Sequence, residues 1–326
     1  MEIDDDLLFM EHIDIFKNNV EDFYQKENNT DKTCNDIVIP KPSKLMISVM
    51  SATCYLGNII NLHIFCNNLQ KNDNIVDINP SHQITRKSNT KNKIFYNQTT
   101  LHIRPWFNDK NKYNLDILVN LKLFRNGKCQ MCGLRCKKDG IQTIKILLQH
   151  LNLNKECIGN ENDKSIYNIE KIVENFNITL INSDFDIGYK IDRKKLFDIL
   201  LDKYELFVTF DPCHYQGVNL KYFINYENNK ENTGKCLCNI IDKNICKGKG
   251  EGNGNLDCKK MTISIFQSGN IIITGKCDIK QLDESYKFII DICTKNFNEI
   301  YQPLLSNDTR KIKRRSIRIL EKKINN

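Results

Sequence analysis

Four cysteines crowd one short stretch, Cys236, Cys238, Cys246 and Cys258, with the spacing C-x-C-x7-C-x11-C. Four thiolates form the donor set of a closed tetrahedral zinc site, and a metal would fold a Gly/Lys-rich segment with almost no apolar core of its own. This spacing is unlike the paired C-x-x-C of zinc ribbons. One structural zinc in the 236–258 loop therefore stands beside two other readings, an unliganded loop and a redox role. A second group, Cys129, Cys132 and Cys136 in "GKCQMCGLRC", contains a C-x-x-C. It lies in a strand-like run where successive side chains point to opposite faces, so Cys129 and Cys132 read as small strand residues and Cys136 as the start of a turn into a helix. The six histidines are scattered, and no acid, base and nucleophile gather in the sequence; the chain reads as a non-enzyme with no catalytic residues.

The elements that must hold these residues show a duplicated pattern. "VNLKLFRNGKCQMCGLR" (119–135) and "MTISIFQSGNIIITGKC" (261–277) each read as a β-hairpin, an alternating arm, a Gly-containing turn and a second arm. Phe124 and Phe266, Gly127 and Gly269, and Gly133 and Gly275 are each separated by 142 residues. A helical stretch follows each hairpin, 141–152 and 282–305, and upstream of each lie a strand (45–53, 177–185), a helix (56–69, 193–204) and another strand (99–106, 218–226). The Asn-rich run 70–93 reads as loop or disorder, and the cysteine-rich insert 227–258 separates two strands of the second copy.

The 326-residue chain is 40% hydrophobic, enough for a core, and its net charge of +8 hides two opposed ends. Residues 1–26 carry two Lys against eight Asp/Glu, whereas 310–326 carry eight Lys/Arg against one Glu. A basic tail of this kind pairs with phosphate or stays solvated. Within the acidic N-terminal extension, Phe9, Ile13, Phe16, Val20 and Phe23 fall at helical spacing. Fourteen cysteines are too sparse for a disulfide scaffold, the N-terminus lacks the basic start of a signal peptide, and no apolar run reaches a membrane span. A protein of a reducing intracellular compartment with no membrane partner is expected.

"IFQSGNIIITG" followed by a helix ending "NEIYQPLL" resembles the TATA-box-binding-protein family, and more closely its divergent versions in large DNA viruses with AT-rich genomes. Ile265 to Gly275 follows the family pattern Ile-Phe-x-Ser-Gly-Lys, Val-x-x-Thr-Gly-Ala-Lys; Leu123 to Gly133 keeps Phe124, Gly127, Lys128 and Gly133; "FDPCHYQGVNLKYF" (210–223) resembles the family's Tyr-Glu-Pro-Glu-Leu-Phe-Pro-Gly-Leu-x-Tyr-Arg. The resemblance implies an α+β fold, two pseudo-symmetric repeats forming a saddle-shaped ten-stranded antiparallel sheet with helices on the convex face. It divides the chain into an extension 1–42, a first repeat 43–152, a linker 153–171, a second repeat 172–305 carrying the insert, and a basic tail 306–326. It implies double-stranded, AT-rich DNA bound and bent through the minor groove, the mechanism for which TATA-box-binding protein is a standard example. RNA polymerase or a transcription factor IIB-like protein is the implied partner, approaching near a stirrup that the cysteine-rich insert would extend. In a viral setting the host cytoplasm, the virion or the nucleus would be the place of action. The competing readings are a saddle-fold protein-interaction module without sequence-specific DNA binding, and an accessory domain of a nuclease or glycosylase.

By the same resemblance Phe124 and Phe266 are one wedge of each half, Tyr215 the second wedge of the second half and Phe95 or Tyr96 that of the first. Asn177 matches a central asparagine whose counterpart falls at Leu45. Ile47, Val49, Thr179, Gln130, Cys132, Ile272 and Thr274 match concave contacts, while Lys122 and Ser264 replace apolar ones. His102, Lys128, Arg135 and Lys221 stand where basic residues approach phosphates. Phe124 and Phe266 have the opposite strand parity from Leu121, Leu123, Ile263 and Ile265, which puts them on the face away from the helices.

Overall fold

A computed structural model describes residues 38–79, 85–86, 93–94, 97–107, 117–159, 163–227, 233–236, 238, 246, 248–253 and 258–303. The predicted N-terminal helix, Phe95, Tyr96 and the basic tail lie outside these residues. Ten strands form one antiparallel sheet: β1 (Met46–Tyr55), β2 (Ile75–Asn79), β3 (Gln98–Ile103), β4 (Val119–Phe124), β5 (Lys128–Leu134), β6 (Asn177–Asp186), β7 (Phe207–Asp211), β8 (Tyr215–Ile224), β9 (Lys259–Ile265) and β10 (Asn270–Gly275). Their order across the sheet is β2-β3-β4-β5-β1-β6-β10-β9-β8-β7, so the same five-strand sequence runs outward from the centre in both directions. A separate two-stranded ladder pairs Thr85–Arg86 with Lys93–Ile94.

Hydrogen bonds reproduce the duplication atom by atom. Leu56 N donates to Gly127 O and Ile60 N to Arg125 O in the first half, as Ile187 N does to Gly269 O and Ile191 N to Gln267 O in the second. Each hairpin turn is thereby tied to the loop after its first strand. The approach is close enough to require glycine. A Cβ on Gly127 (φ +79) would lie 2.0 Å from Asn58 O, and one on Gly269 (φ +95) 2.3 Å from Tyr189 O.

Alternation fixes two unlike faces. Along β4 every second residue is buried, Val119, Leu121 and Leu123, while Asn120, Lys122 and Phe124 stay half-exposed. The buried parity is covered by helices α1 (Leu62–Asn68), α2 (Lys137–Leu153), α3 (Ile169–Glu174), α4 (Arg193–Asp198, prolonged by a π-helical turn to Lys203), α5 (Ile279–Lys295) and α6 (Phe297–Ile300). On α5, Tyr286 meets Phe185 of β6 edge to face at 4.7 Å and Phe288 meets Tyr222 of β8 at the same distance. The helix starts are built by side chains: Asp278 accepts from Gln281 N, and the buried Asp139 carboxylate accepts from Arg135 N, Cys136 N and Trp106 Nε1.

The outer strands and the strand registers depart from the sequence reading. The run 70–93 contains β2, and the reading of four strands per unit also missed its counterpart β7; both are five-residue strands at the ends of the sheet, with a single ladder each. The span 153–171 holds a 3-10 turn, Lys155–Cys157, and the start of α3, because Asn168 caps Lys171 N. The expected alternation in β1 and β6 is broken by register shifts at Ser48 and Thr179, 131 residues apart. Among the described residues, no helix is long and apolar enough to cross a membrane.

Candidate nucleic-acid interface

The face opposite the described helices is organised in cross-strand rows. In the first half these run Ser51–Cys132–Asn120–His102, then Thr53–Gln130–Lys122–Thr100, then Tyr55–Lys128–Phe124–Gln98. Their counterparts are Asn182–Thr274–Thr262–Lys221, Asp184–Ile272–Ser264–Asn219 and the hairpin end bearing Asp186, Asn270 and Phe266. Val49, Lys122, Phe124, Lys128, Gln130, Cys132, Lys221, Phe266, Ile272 and Thr274 therefore share one face, together with His102 and Ser264. Cys132 indeed stands where Thr274 stands, its Sγ 3.1 Å from Ser51 Oγ. Cys129 is fully buried on the other face, and Cys136 caps α2.

Two aromatic rings dominate the second half. Tyr215, 42% exposed, and Phe266 have ring centroids 5.8 Å apart, inclined at 59°. Both lean over Gly217, where a Cβ would lie 2.7 Å from the Tyr215 ring and 3.2 Å from Phe266. Glycine at 217 is what lets the pair close. Phe124 occupies the equivalent hairpin end of the first half, beside a hollow of about 460 Å³ that it lines with Ile59, Asn97, Arg125 and Asn126.

Some placements differ from expectation. Ile47 pairs with the fully buried Ser183 and so has helix-side parity, because the shift at Ser48 moves it off the open face. Thr179 is the shifted residue of β6, its hydroxyl donating to Ser51 O. Asn177 is exposed opposite Thr53, and its counterpart is Met46, which pairs with Asp184; the register replaces the Leu45 alignment. Arg135 is exposed just after β5. Sequence reasoning overlooked Asn182, whose Oδ1 is buried without a partner among the described residues, and Asp184, exposed on the open face one row from its centre. Alternation counted from the apolar Ile181 and Phe185 marks both, whereas counting from Asn177 misses them because the shift at Thr179 reverses the parity.

Charged groups of both signs occupy each half of this face. Asp77, Lys122 and Lys128 lie in the first half, with Asp77 Oδ2 3.7 Å from His102 Nδ1; Asp184, Asp186, Lys221 and Lys260 lie in the second. Burial and the neighbouring Lys260 lower the pKa of the Lys221 ammonium, whose Nζ donates to Thr262 Oγ1 at 3.0 Å.

The insert brings Cys236, Cys238, Cys246 and Cys258 together, all four Sγ atoms within 4.8 Å of one another. Cys258 Sγ is 3.2 Å from Cys238 Sγ and 3.7 Å from Cys236 Sγ. Zinc–sulfur bonds of about 2.3 Å in a tetrahedron set sulfur atoms roughly 3.8 Å apart, so the donor set fits a tetrahedral metal ion. Phe223 packs against the cluster, and Asn225 Nδ2 donates to Cys258 Sγ at 3.7 Å. Burial pushes the Cys236 thiol up to about 11 and, with Cys238, also raises Cys258. For Cys246 burial acts upward too, but hydrogen bonds from Gly248 N–H and the Cys238 thiol outweigh it and the pKa falls. The insert does not extend the hairpin end bearing Tyr215 and Phe266. It joins the opposite ends of β8 and β9, where Phe223 N donates to Gly234 O and Lys260 N to Gly248 O.

No family model matches the chain. A curated protein of Acanthamoeba polyphaga mimivirus called "TATA-box-binding protein-like" is 31% identical over 272 residues, 78% of this chain. The match spans 66% of that relative, just under two thirds of its length. Among solved structures, Methanococcus jannaschii TBP aligns with a TM-score of 0.43 at 14% identity, covering 78% of this chain and 99% of that one. With this identity over most of its length and a sheet built twice from the same five strands, the chain is a divergent TATA-box-binding-protein-like protein.

Proposed function

We propose that the chain is a non-enzymatic transcription-initiation factor that binds and bends AT-rich duplex DNA through the minor groove and then recruits an RNA polymerase or a transcription factor IIB-like protein. The observation that carries this reading is the Tyr215–Phe266 pair, held over Gly217 at the edge of a face that none of the described helices covers. Apolar rings in that position can enter a base step, and the unstacking cost is offset by the surface that a bent duplex wraps. His102, Lys128 and Lys221 share the face and would meet phosphate, which makes affinity fall with salt. The four-cysteine cluster is a structural zinc site in this reading, and a reducing compartment keeps its thiols available.

A titration with AT-rich and GC-rich duplexes carrying a bend reporter, at two salt concentrations, tests the function. Bending with a preference between the duplexes is expected. Duplex affinity no better than nonspecific, without bending, would instead favour a protein-interaction module, the reading that the polar Lys122, Gln130 and Cys132 on the open face also suit.

A further inference from the structure

Asp184 sits on the open face one row from the centre, paired with Met46 on one side and Ile272 on the other. Its side chain is exposed, and among the described residues its one hydrogen-bond partner is the Ser48 hydroxyl, which donates to Oδ1. The counterpart of Asp184 in the first half is Thr53, in the row that also holds Gln130 and Lys122. One half thus presents donors and a cation where the other presents a carboxylate flanked by apolar and hydroxyl groups. The two halves cannot make the same contacts with the floor of a minor groove.

What that floor offers is limited. An A·T pair shows acceptors alone, adenine N3 and thymine O2, whereas a G·C pair adds the guanine N2 amino donor. A carboxylate accepts hydrogen bonds and cannot donate them, so it is repelled over A·T, most of all over an A-tract with its strong negative potential, and matched over guanine. Gln130 and Lys122 are donors and suit A·T. Resting on the DNA-binding reading above, we infer that Asp184 is a specificity-determining residue. It selects a G·C pair beneath the second half of the sheet, near its centre, while the first half lies on A·T. The bound element would then be asymmetric, and the two orientations of the protein on it would differ in affinity. Ser48 orders the carboxylate through Oδ1 and leaves Oδ2 for the base.

The test is a panel of duplexes in which one G·C pair is moved stepwise through an A·T core, measured with the wild type, Asp184→Asn and Thr53→Asp. The wild type should bind best, by about tenfold, with G·C at one off-centre position. Asp184→Asn, isosteric and on an exposed site, should lose that preference and bind the uninterrupted A·T core more tightly. Thr53→Asp should create a second G·C preference at the mirror position. The inference fails if the wild type prefers the uninterrupted core at every position, or if Asp184→Asn raises affinity equally for all duplexes. No binding to any duplex would overturn it together with the DNA-binding reading, whereas binding with an unchanged profile would overturn the role of Asp184 alone.

Discussion

Met50 of β1 and Ile181 of β6 face each other at the centre of the sheet, and each is the other's counterpart, 131 residues apart. The register shifts at Ser48 and Thr179 lie on either side of this pair at mirrored positions. Both side chains are buried, 3% and 1% exposed, beneath the helices. The join between the halves is therefore a packed apolar contact as well as a ladder of backbone bonds. Ile181→Ala leaves a cavity at the seam and should destabilise the fold by about 3 kcal/mol. Urea unfolding reads this as a lower midpoint at unchanged slope. A loss below about 1 kcal/mol would mean that the seam adds little to the core.

The sequence reached the duplication through landmarks that sterics dictate. Gly127 and Gly269 must be glycine because a carbonyl of the preceding loop lies against each, and Phe124 and Phe266 keep their place beside those turns. The outer strands β2 and β7 escaped notice because five residues carry too little periodicity, and β2 sits in an Asn-rich run whose composition speaks for a loop. Misplacement of Ile47 has a local cause. A one-residue shift at Ser48 reverses the parity of everything beyond it, and a shift of this kind leaves no compositional mark. The convergence of the four cysteines followed from number and proximity, but not the end of the sheet they occupy, since that depends on which strand termini the insert joins.

Gly217 supports the aromatic pair by its lack of a side chain. In Gly217→Val the new Cβ would push the Tyr215 ring from 2.7 Å and crowd Phe266 at 3.2 Å, splaying the pair on an open surface while the core behind it is untouched. The variant should fold and lose duplex affinity about tenfold, with a smaller bend, a loss matching Phe266→Ala. Bend angle by fluorescence transfer and affinity by anisotropy check it. Full bending by the variant would show that the rings do not act as a pair.

Lys128 stands exposed in the row of Phe124, at the place Asn270 takes in the second half. If it neutralises a phosphate, Lys128→Gln should weaken binding to all duplex sequences alike and reduce the slope of log affinity against log salt by about 0.9. An Asn270→Lys variant should steepen the slope by a similar amount. Affinities across a salt series measure both, and an unchanged slope in Lys128→Gln removes that residue from the phosphate contacts.

The four-cysteine cluster covers Phe223, which is 8% exposed though its parity is that of the open face. Without a bound ion, four thiols and one phenyl ring are a thin core for an insert of more than thirty residues. Metal analysis should find one zinc per chain, and Cys258→Ser, which removes the sulfur 3.7 Å from Cys236 Sγ and 3.2 Å from Cys238 Sγ, should reduce this to near zero. The loss should unfold the insert while the ten-stranded sheet keeps its unfolding midpoint, because the helices and buried strand residues lie on the other face. Limited proteolysis within 227–257, fast in Cys258→Ser and slow in the wild type, distinguishes local from global unfolding. A wild-type protein prepared with ample zinc that holds none, yet resists cleavage in the insert, would refute the metal.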